Sequence, residues 1–133
     1  MRICLVRIDK MGDMILTLPI IQALKRDNNQ IDVICSQSNF KICNKLNIIN
    51  KIYLLKKNFT RILNTIINIR KENYDYIFTF SPGILSILMS IFSGSKTKSL
   101  LILQSRYKNN FASKLLEKID INILTIPGLN VKI

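Results

Sequence analysis

Asp9, Lys10 and Asp13 fall within one short polar turn, Asp9-Lys10-Met11-Gly12-Asp13, and Arg7 stands just ahead of it. Two carboxylates and two cations so close together suit a polar or anionic substrate. A carboxylate within hydrogen-bond reach of a substrate hydroxyl can act as a general base, and Asp13 is the first candidate for that role. Gly12 beside it has no side chain, so a ligand could approach the backbone closely. The competing reading of Asp13 is an ordinary helix N-cap, whose charge also suits a helix amino terminus; the two roles are compatible. The cations Arg7 and Lys10 could contact phosphate or carboxylate groups, or form a solvated loop with a local salt bridge. Thr79 to Gly83, with Thr79 and Ser81 as its candidate contacts, makes a second patch at the carboxyl end of a later strand-like run. Met11 reads as packing, and Thr17 and Pro19 as shaping the helix that follows, which Pro19 should kink. Ser86, a lone serine without a base, reads as structural.

Several chemistries are excluded. The chain has no histidine, so imidazole-based zinc sites and Ser-His-Asp catalysis cannot be built. Cys4, Cys35 and Cys43 lack metal-ligand spacing and read as free, buried thiols in a reducing compartment. Neither G-x-G-x-x-G nor the P-loop pattern occurs, which argues against a nicotinamide enzyme or a nucleoside triphosphatase. No compact carboxylate pair reads as an Asp-x-Asp metal site.

The elements that must position these residues alternate. Ile3–Ile8 is an apolar run of the kind buried on both faces of a sheet. The polar turn and a helix-like segment follow, with Leu16, Ile20, Ala23 and Leu24 near helical spacing. Further strand-like runs are Ile31–Cys35, Lys51–Leu55, Tyr76–Phe80 and Ser99–Leu103, with Ile121–Ile126 as a sixth, ending at Pro127-Gly128. Between them lie helix-like stretches. Asn39–Leu46 is short. Asn58–Lys71 is amphipathic, with Phe59, Ile62, Leu63, Ile66, Ile67 and Ile69 expected inward. Gly83–Phe92 is apolar almost all round, as suits a helix buried against a sheet, with Pro82 at its first turn. Arg106–Ile119 reads as a basic amphipathic helix. This alternation predicts one α/β domain, a Rossmann-like parallel sheet of five or six strands with helices on both faces. In such a sheet, turns at the carboxyl ends of strands line the ligand site.

Composition sets the remaining bounds. The 133 residues carry 20 Lys+Arg against 8 Asp+Glu, a formal charge of +12, and 48% are hydrophobic. That is enough apolar material for a core, and the charge invites a polyanion such as nucleic acid, acidic membrane or a phosphorylated glycolipid. A compositionally biased genome would leave the same signature. The amino terminus enters a strand-like run at once, unlike a secretory leader, and the longest apolar stretch, Ile84–Phe92, is too short to span a bilayer. The expected location is cytoplasmic; Lys96, Lys98, Arg106, Lys108, Lys114 and Lys118 could lie on anionic lipid as a peripheral contact, or equally form a solvated face, the commoner outcome for such charge. Only Tyr107 and Phe111 interleave those cations, which is thin support for nucleic-acid binding.

Arg7-x-Asp9-x-x-Gly12-Asp13, followed by Leu16-Thr17-x-Pro19 and Leu24-Lys25, resembles the amino terminus of glycosyltransferase family 9, the ADP-heptose:lipopolysaccharide heptosyltransferases. The resemblance continues through Tyr74-Asp75-Tyr76-Ile77-Phe78 and Ser86 to Gly94-Ser95-Lys96. It implies the amino-terminal, acceptor-binding half of a GT-B fold, with the nucleotide-sugar held by a second domain that this chain lacks. It also implies that Asp13 is the general base in an inverting transfer without a covalent intermediate. Arg7, Asp9, Lys10, Gly12, Thr79 and Ser81 would contact a glycolipid acceptor of lipopolysaccharide-core type. No cofactor is implied, because the nucleotide-sugar is a co-substrate. Transfer needs both reactants held together, so the resemblance implies that this chain is inactive unless joined by a donor-binding domain or separate chain. The readings are therefore a fragment of a transferase, one subunit of a split transferase, or a non-catalytic α/β module that binds polyanions.

Overall fold

The apolar run that starts the chain becomes the middle of the sheet. In a computed structural model that describes residues 1–81, 83–103 and 122–126, strand β1 (Arg2–Arg7) pairs in parallel with β2 (Gln30–Cys35) on one side and β4 (Tyr76–Thr79) on the other. Strands β3 (Lys51–Leu54), β5 (Thr97–Leu103) and β6 (Asn122–Ile126) complete a six-stranded parallel sheet in the order β3-β2-β1-β4-β5-β6. The sixth strand is thus present. Pro82, the Arg106–Ile119 segment and Pro127-Gly128 lie outside the described residues.

Helices α1 (Met11–Arg26) and α2 (Gln37–Cys43) cover one face, and α3 (Phe59–Glu72) and α4 (Ile84–Phe92) the other. Successive residues of a strand point to opposite faces, so Ile3 and Leu5 pack with Met14 and Ile21 of α1, while Cys4 and Val6 pack with Ile69 of α3 and Met89 of α4. Each large side chain so buried contributes about 1.5–3 kcal/mol. The result is a Rossmann-like α/β fold with helices on both faces.

Which helix faces are buried differs from the sequence expectation. In α1 the inward residues are Met14, Thr17 and Ile21, while Leu16 and Ile20 are exposed. In α3, Ile62, Thr65, Ile66 and Ile69 turn inward, and Phe59, Leu63 and Ile67 are exposed. In α4 the buried face is Ser86, Ile87, Met89 and Ser90, leaving Ile84, Leu88 and Phe92 exposed. The physical reason is common to all three. Each helix has more apolar residues than one sheet face can cover, so counting them overestimates the buried arc. Pro19 lies inside α1, which runs unbroken as one helix.

Helix ends use asparagine where the backbone must turn left-handed. Asn73 caps α3 at φ 52°, and Asn28 after α1 has φ 59°; asparagine visits this region more readily than most residues.

At the amino ends of the strands a polar cluster is closed off by its own members. Asp32, fully buried on β2, accepts from the Tyr74 hydroxyl and, at 3.0 Å, from the Lys51 backbone N–H. Glu72 pairs with Arg2 and Lys51, and Arg2 also lies over the Tyr74 ring at 5.5 Å from its centroid. Asp75 accepts from the Arg2 backbone N–H at 2.9 Å and from Lys96 at 2.8 Å. Burial pushes the Tyr74 phenol well up, reinforced by nearby Cys4 and by Asp32.

Candidate functional site

The strand order places the topological switch between β1 and β4, because β2 follows β1 to one side while β4 returns on the other. Ligands of open α/β sheets bind outside the carboxyl ends of strands at such a switch. The sequence-predicted residues lie there. Arg7 is the last residue of β1, Thr79 the last of β4, and the turn Ile8–Lys10 leads directly into α1.

Arg7 organises the group. Its side chain is only 12% exposed, its Nη1 donates to the Phe80 carbonyl at 2.8 Å, and its Nη2 lies 3.5 Å from Asp13 Oδ1. Asp9 Oδ2 is 3.7 Å from the same guanidinium. A planar fork with several fixed donors can serve three oxygens in this way, which an ammonium cannot. Arg7 is therefore an internal brace, and both carboxylates of the turn are anchored to it.

Ser81 closes the switch from the other side. Its hydroxyl accepts from the Ile8 backbone N–H at 2.9 Å and donates to Asp9 Oδ1. Asn39 of α2, fully buried, donates to the carbonyls of Arg7 and Asp9, each at 3.2 Å, and so fixes the turn from below. Sequence reasoning passed over Asn39, because Gln37, Ser38 and Lys41 around it are polar and nothing local marks it as buried.

Asp13 is not an N-cap. Lys10 occupies that position without a side-chain cap bond, and Asp13 sits in the first turn of α1. Its charge still suits the positive end of the helix. Its side chain is 42% exposed, so the carboxylate is open to a substrate while tied to Arg7. Gly12 has ordinary backbone geometry, and a Cβ added there would meet nothing within 4 Å. The fold thus does not require glycine at this point, and the rim beside Asp13 is open. Lys10 and Met11 are exposed on the same rim; Met11 is not a packing residue. Thr79 is buried, with its hydroxyl unpaired, and belongs to the wall beneath the switch, not to its surface.

A cleft of about 510 Å³ opens next to the turn, over the carboxyl ends of β1, β2 and β3. Ile8, Asp9, Ser36, Ser38, Leu55, Lys56 and Lys57 line it. Ser36 follows β2 immediately, and Lys56 and Lys57 lie just past β3. A lining of two lysines, two serines and an aspartate suits a sugar that carries phosphate or carboxylate. Of the residues expected from the sequence, Asp9 alone lines this cleft. The lysines and serines were legible by the strand-end rule once β2 and β3 had been placed. Among the described residues no group of three or more Cys, Asp or Glu is arranged to hold a metal ion.

The fold has solved counterparts. The crystal structure of a glycosyl transferase family 9 protein from Veillonella parvula DSM 2008 is similar over 74% of this chain and 31% of its own, with TM-score 0.66 and 14% identity. E. coli ADP-heptose lps heptosyltransferase II is similar over 76% of this chain and 30% of its own, with TM-score 0.66 and 16% identity. The structure of MT0777 is similar over 96% of this chain and 85% of its own, with TM-score 0.63 and 10% identity. No family model matches the sequence, and no curated protein matches it significantly. The chain shares its α/β fold with these three structures, and spans about a third of the length of the two transferases.

Proposed function

We propose that this chain is the acceptor-binding half of a glycosyltransferase of heptosyltransferase type. The observation that carries this reading is the Asp13 carboxylate, half-exposed in the first turn of α1 and braced by Arg7 at the β1/β4 switch. The family-9 motif predicted from the sequence falls on this turn, and two transferases share the fold around it.

In the proposed reaction, a glycolipid acceptor of lipopolysaccharide-core type lies along the rim and into the cleft beside Asp9. Lys56 and Lys57 contact its acidic groups, Lys10 approaches from the α1 side, and open space at Gly12 admits the sugar ring. Asp13 takes the proton of the attacking hydroxyl as that oxygen bonds to the anomeric carbon of a nucleotide-sugar, ADP-heptose by resemblance, and the nucleotide leaves with the bonding pair. Ser81 and Asn39 act by position, holding the turn in register. The donor would be held by a second domain or a separate chain. Transfer by these residues alone is not expected, because the reactants must be held together. The reaction belongs at the cytoplasmic face of a membrane that carries the acceptor. Among the described residues no helix is long and apolar enough to cross a membrane.

The test is transfer by this chain joined to a heptosyltransferase donor-binding domain, with ADP-heptose and a phosphorylated core acceptor. Asp13→Asn is expected to lower the rate about 10²–10⁴-fold while acceptor affinity, read by calorimetry on the chain itself, stays within a few-fold. Undiminished turnover by Asp13→Asn would remove Asp13 as the base. Absence of acceptor binding by the wild-type chain would remove the reading as a whole.

A further inference from the structure

Helices α3 and α4 leave two apolar rows uncovered. Phe59, Leu63 and Ile67 recur every four residues along α3, and Ile84, Leu88 and Phe92 do the same along α4. Phe59 and Ile84 are each 74% exposed. The two rows belong to one surface. Arg70 falls about three turns after Phe59 and hence on the same side of α3. Its side chain reaches the end of α4, where a Cβ added to Gly94 would lie 3.6 Å from Arg70 Cγ. The exposed flank of α3 therefore faces α4, and six large apolar side chains border one strip on this face of the sheet.

Among the described residues, the charges around the strip are of one sign. Lys57 precedes it, Arg61 flanks it, and Arg70 and Lys71 end it, all four exposed. Helix α4 has no charged residue, and the one acid of α3, Glu72, is paired with Arg2 and Lys51. Helix α1 is different: its exposed Met11, Ile15, Leu16 and Ile20 are flanked by charges of both signs, Asp13 and Asp27 as well as Lys10, Lys25 and Arg26. An anionic surface would meet Asp13 and Asp27 there, whereas the one acid of α3 is already paired.

We propose that the α3–α4 face is a docking surface for an anionic lipid bilayer. Apolar side chains enter the acyl boundary while the four cations contact lipid phosphates, the arrangement by which interfacial helices bind membranes. A second copy of this chain fits less well, since each copy brings a net charge of +12 to the contact. Lys57 also lines the cleft, so the docked face would meet the bilayer beside the candidate acceptor site. The proposal does not depend on sugar transfer, because it concerns lipid alone.

Co-sedimentation of the chain with vesicles of phosphatidylglycerol and phosphatidylcholine tests it, with pure phosphatidylcholine vesicles as the control. Strong binding to the anionic vesicles and weak binding to the neutral ones is expected. The double variant Leu63→Glu/Leu88→Glu, with folding checked by circular dichroism, should weaken that binding at least about tenfold, since two apolar anchors are lost. Arg61→Gln/Lys71→Gln should weaken it less and reduce its salt sensitivity. Undiminished binding by the folded glutamate variant would place any lipid contact elsewhere on the chain and overturn the proposal. So would a failure to bind anionic vesicles, or a dimer in solution that the same glutamates dissolve, which would identify a second copy as the occupant.

Discussion

Arg7 Nη2 lies 3.5 Å from Asp13 Oδ1 while Nη1 of the same side chain donates to the Phe80 carbonyl at 2.8 Å. One guanidinium thus joins the first turn of α1 to the end of β4. A lysine has no fork with which to reach both. Arg7→Lys should lower stability in urea unfolding by about 1–3 kcal/mol, the cost of leaving a buried polar group without its partner. Asp13→Asn, at a half-exposed position, should change it by less than about 0.5 kcal/mol. Equal losses would show that Arg7 matters to the fold only through Asp13.

Tyr74 and Asp32 form the other buried polar pair of consequence. Tyr74→Phe keeps the ring and removes the donor to a fully buried carboxylate. A loss of about 1–3 kcal/mol is expected. In a double-mutant cycle with Asp32→Asn the two losses should not add, because the residues share one contact. Strict additivity would mean that the hydroxyl serves something other than Asp32.

Acid should loosen the amino ends of the strands first. Hydrogen bonds from Lys51 and then Arg2 hold the Glu72 carboxyl below its usual range, and the Arg2 backbone N–H and then Lys96 do the same for Asp75. Both folded values lie below the unfolded ones. The stability they contribute is therefore complete above the ordinary carboxylate range, and lost as pH falls through that range to the lowered values. The urea midpoint should hold steady from about pH 7 to 5 and drop below about pH 4. Glu72→Gln/Asp75→Asn should flatten the drop. A main loss between pH 8 and 6 would contradict this account, since the chain has no histidine to titrate there.

The three cysteines are buried and unbridged. Burial pushes the Cys4 thiol up, and a hydrogen bond to Cys43, with burial, does the same for Cys35, while that bond holds the Cys43 thiol down. All three are fully enclosed, and an enclosed thiol is inert whatever its charge. The folded chain at pH 8 should leave a thiol-reactive dye unreacted over minutes, and all three should react in urea. Rapid labelling of the folded chain would reveal an opening of the sheet or of α2.

The alternation of apolar runs and turns made the fold legible, because a strand buried on both faces reads as a continuous apolar stretch, as in Ile3–Val6. The Asp9–Asp13 turn was legible too, since a strand followed by a polar turn and a helix must place that turn on the rim. What the sequence hid was the direction of side chains. Ser81 looked like a substrate contact, but its hydroxyl is engaged by Ile8 and Asp9, partners more than seventy residues away that only the β1–β4 pairing brings near. Phe59, Leu63 and Ile67 looked like core. Apolar character reports what a residue could bury, whereas the number of helices sharing a sheet face decides what it does bury.

The central place of β1 bears on how the chain can form during synthesis. Ile3 pairs with Ile31 and also with Tyr76, so β1 is completed only after β4 has been made. Contacts of such long range must overcome a large loop-closure entropy before they contribute, and sheets of this kind fold slowly. Until then one edge of β1 is unpaired and open to pairing with another chain. The span from Arg7 to Ser81 is thus the shortest length of nascent chain in which Arg7, Asp9 and Ser81 can meet, and the one in which a chaperone would matter most.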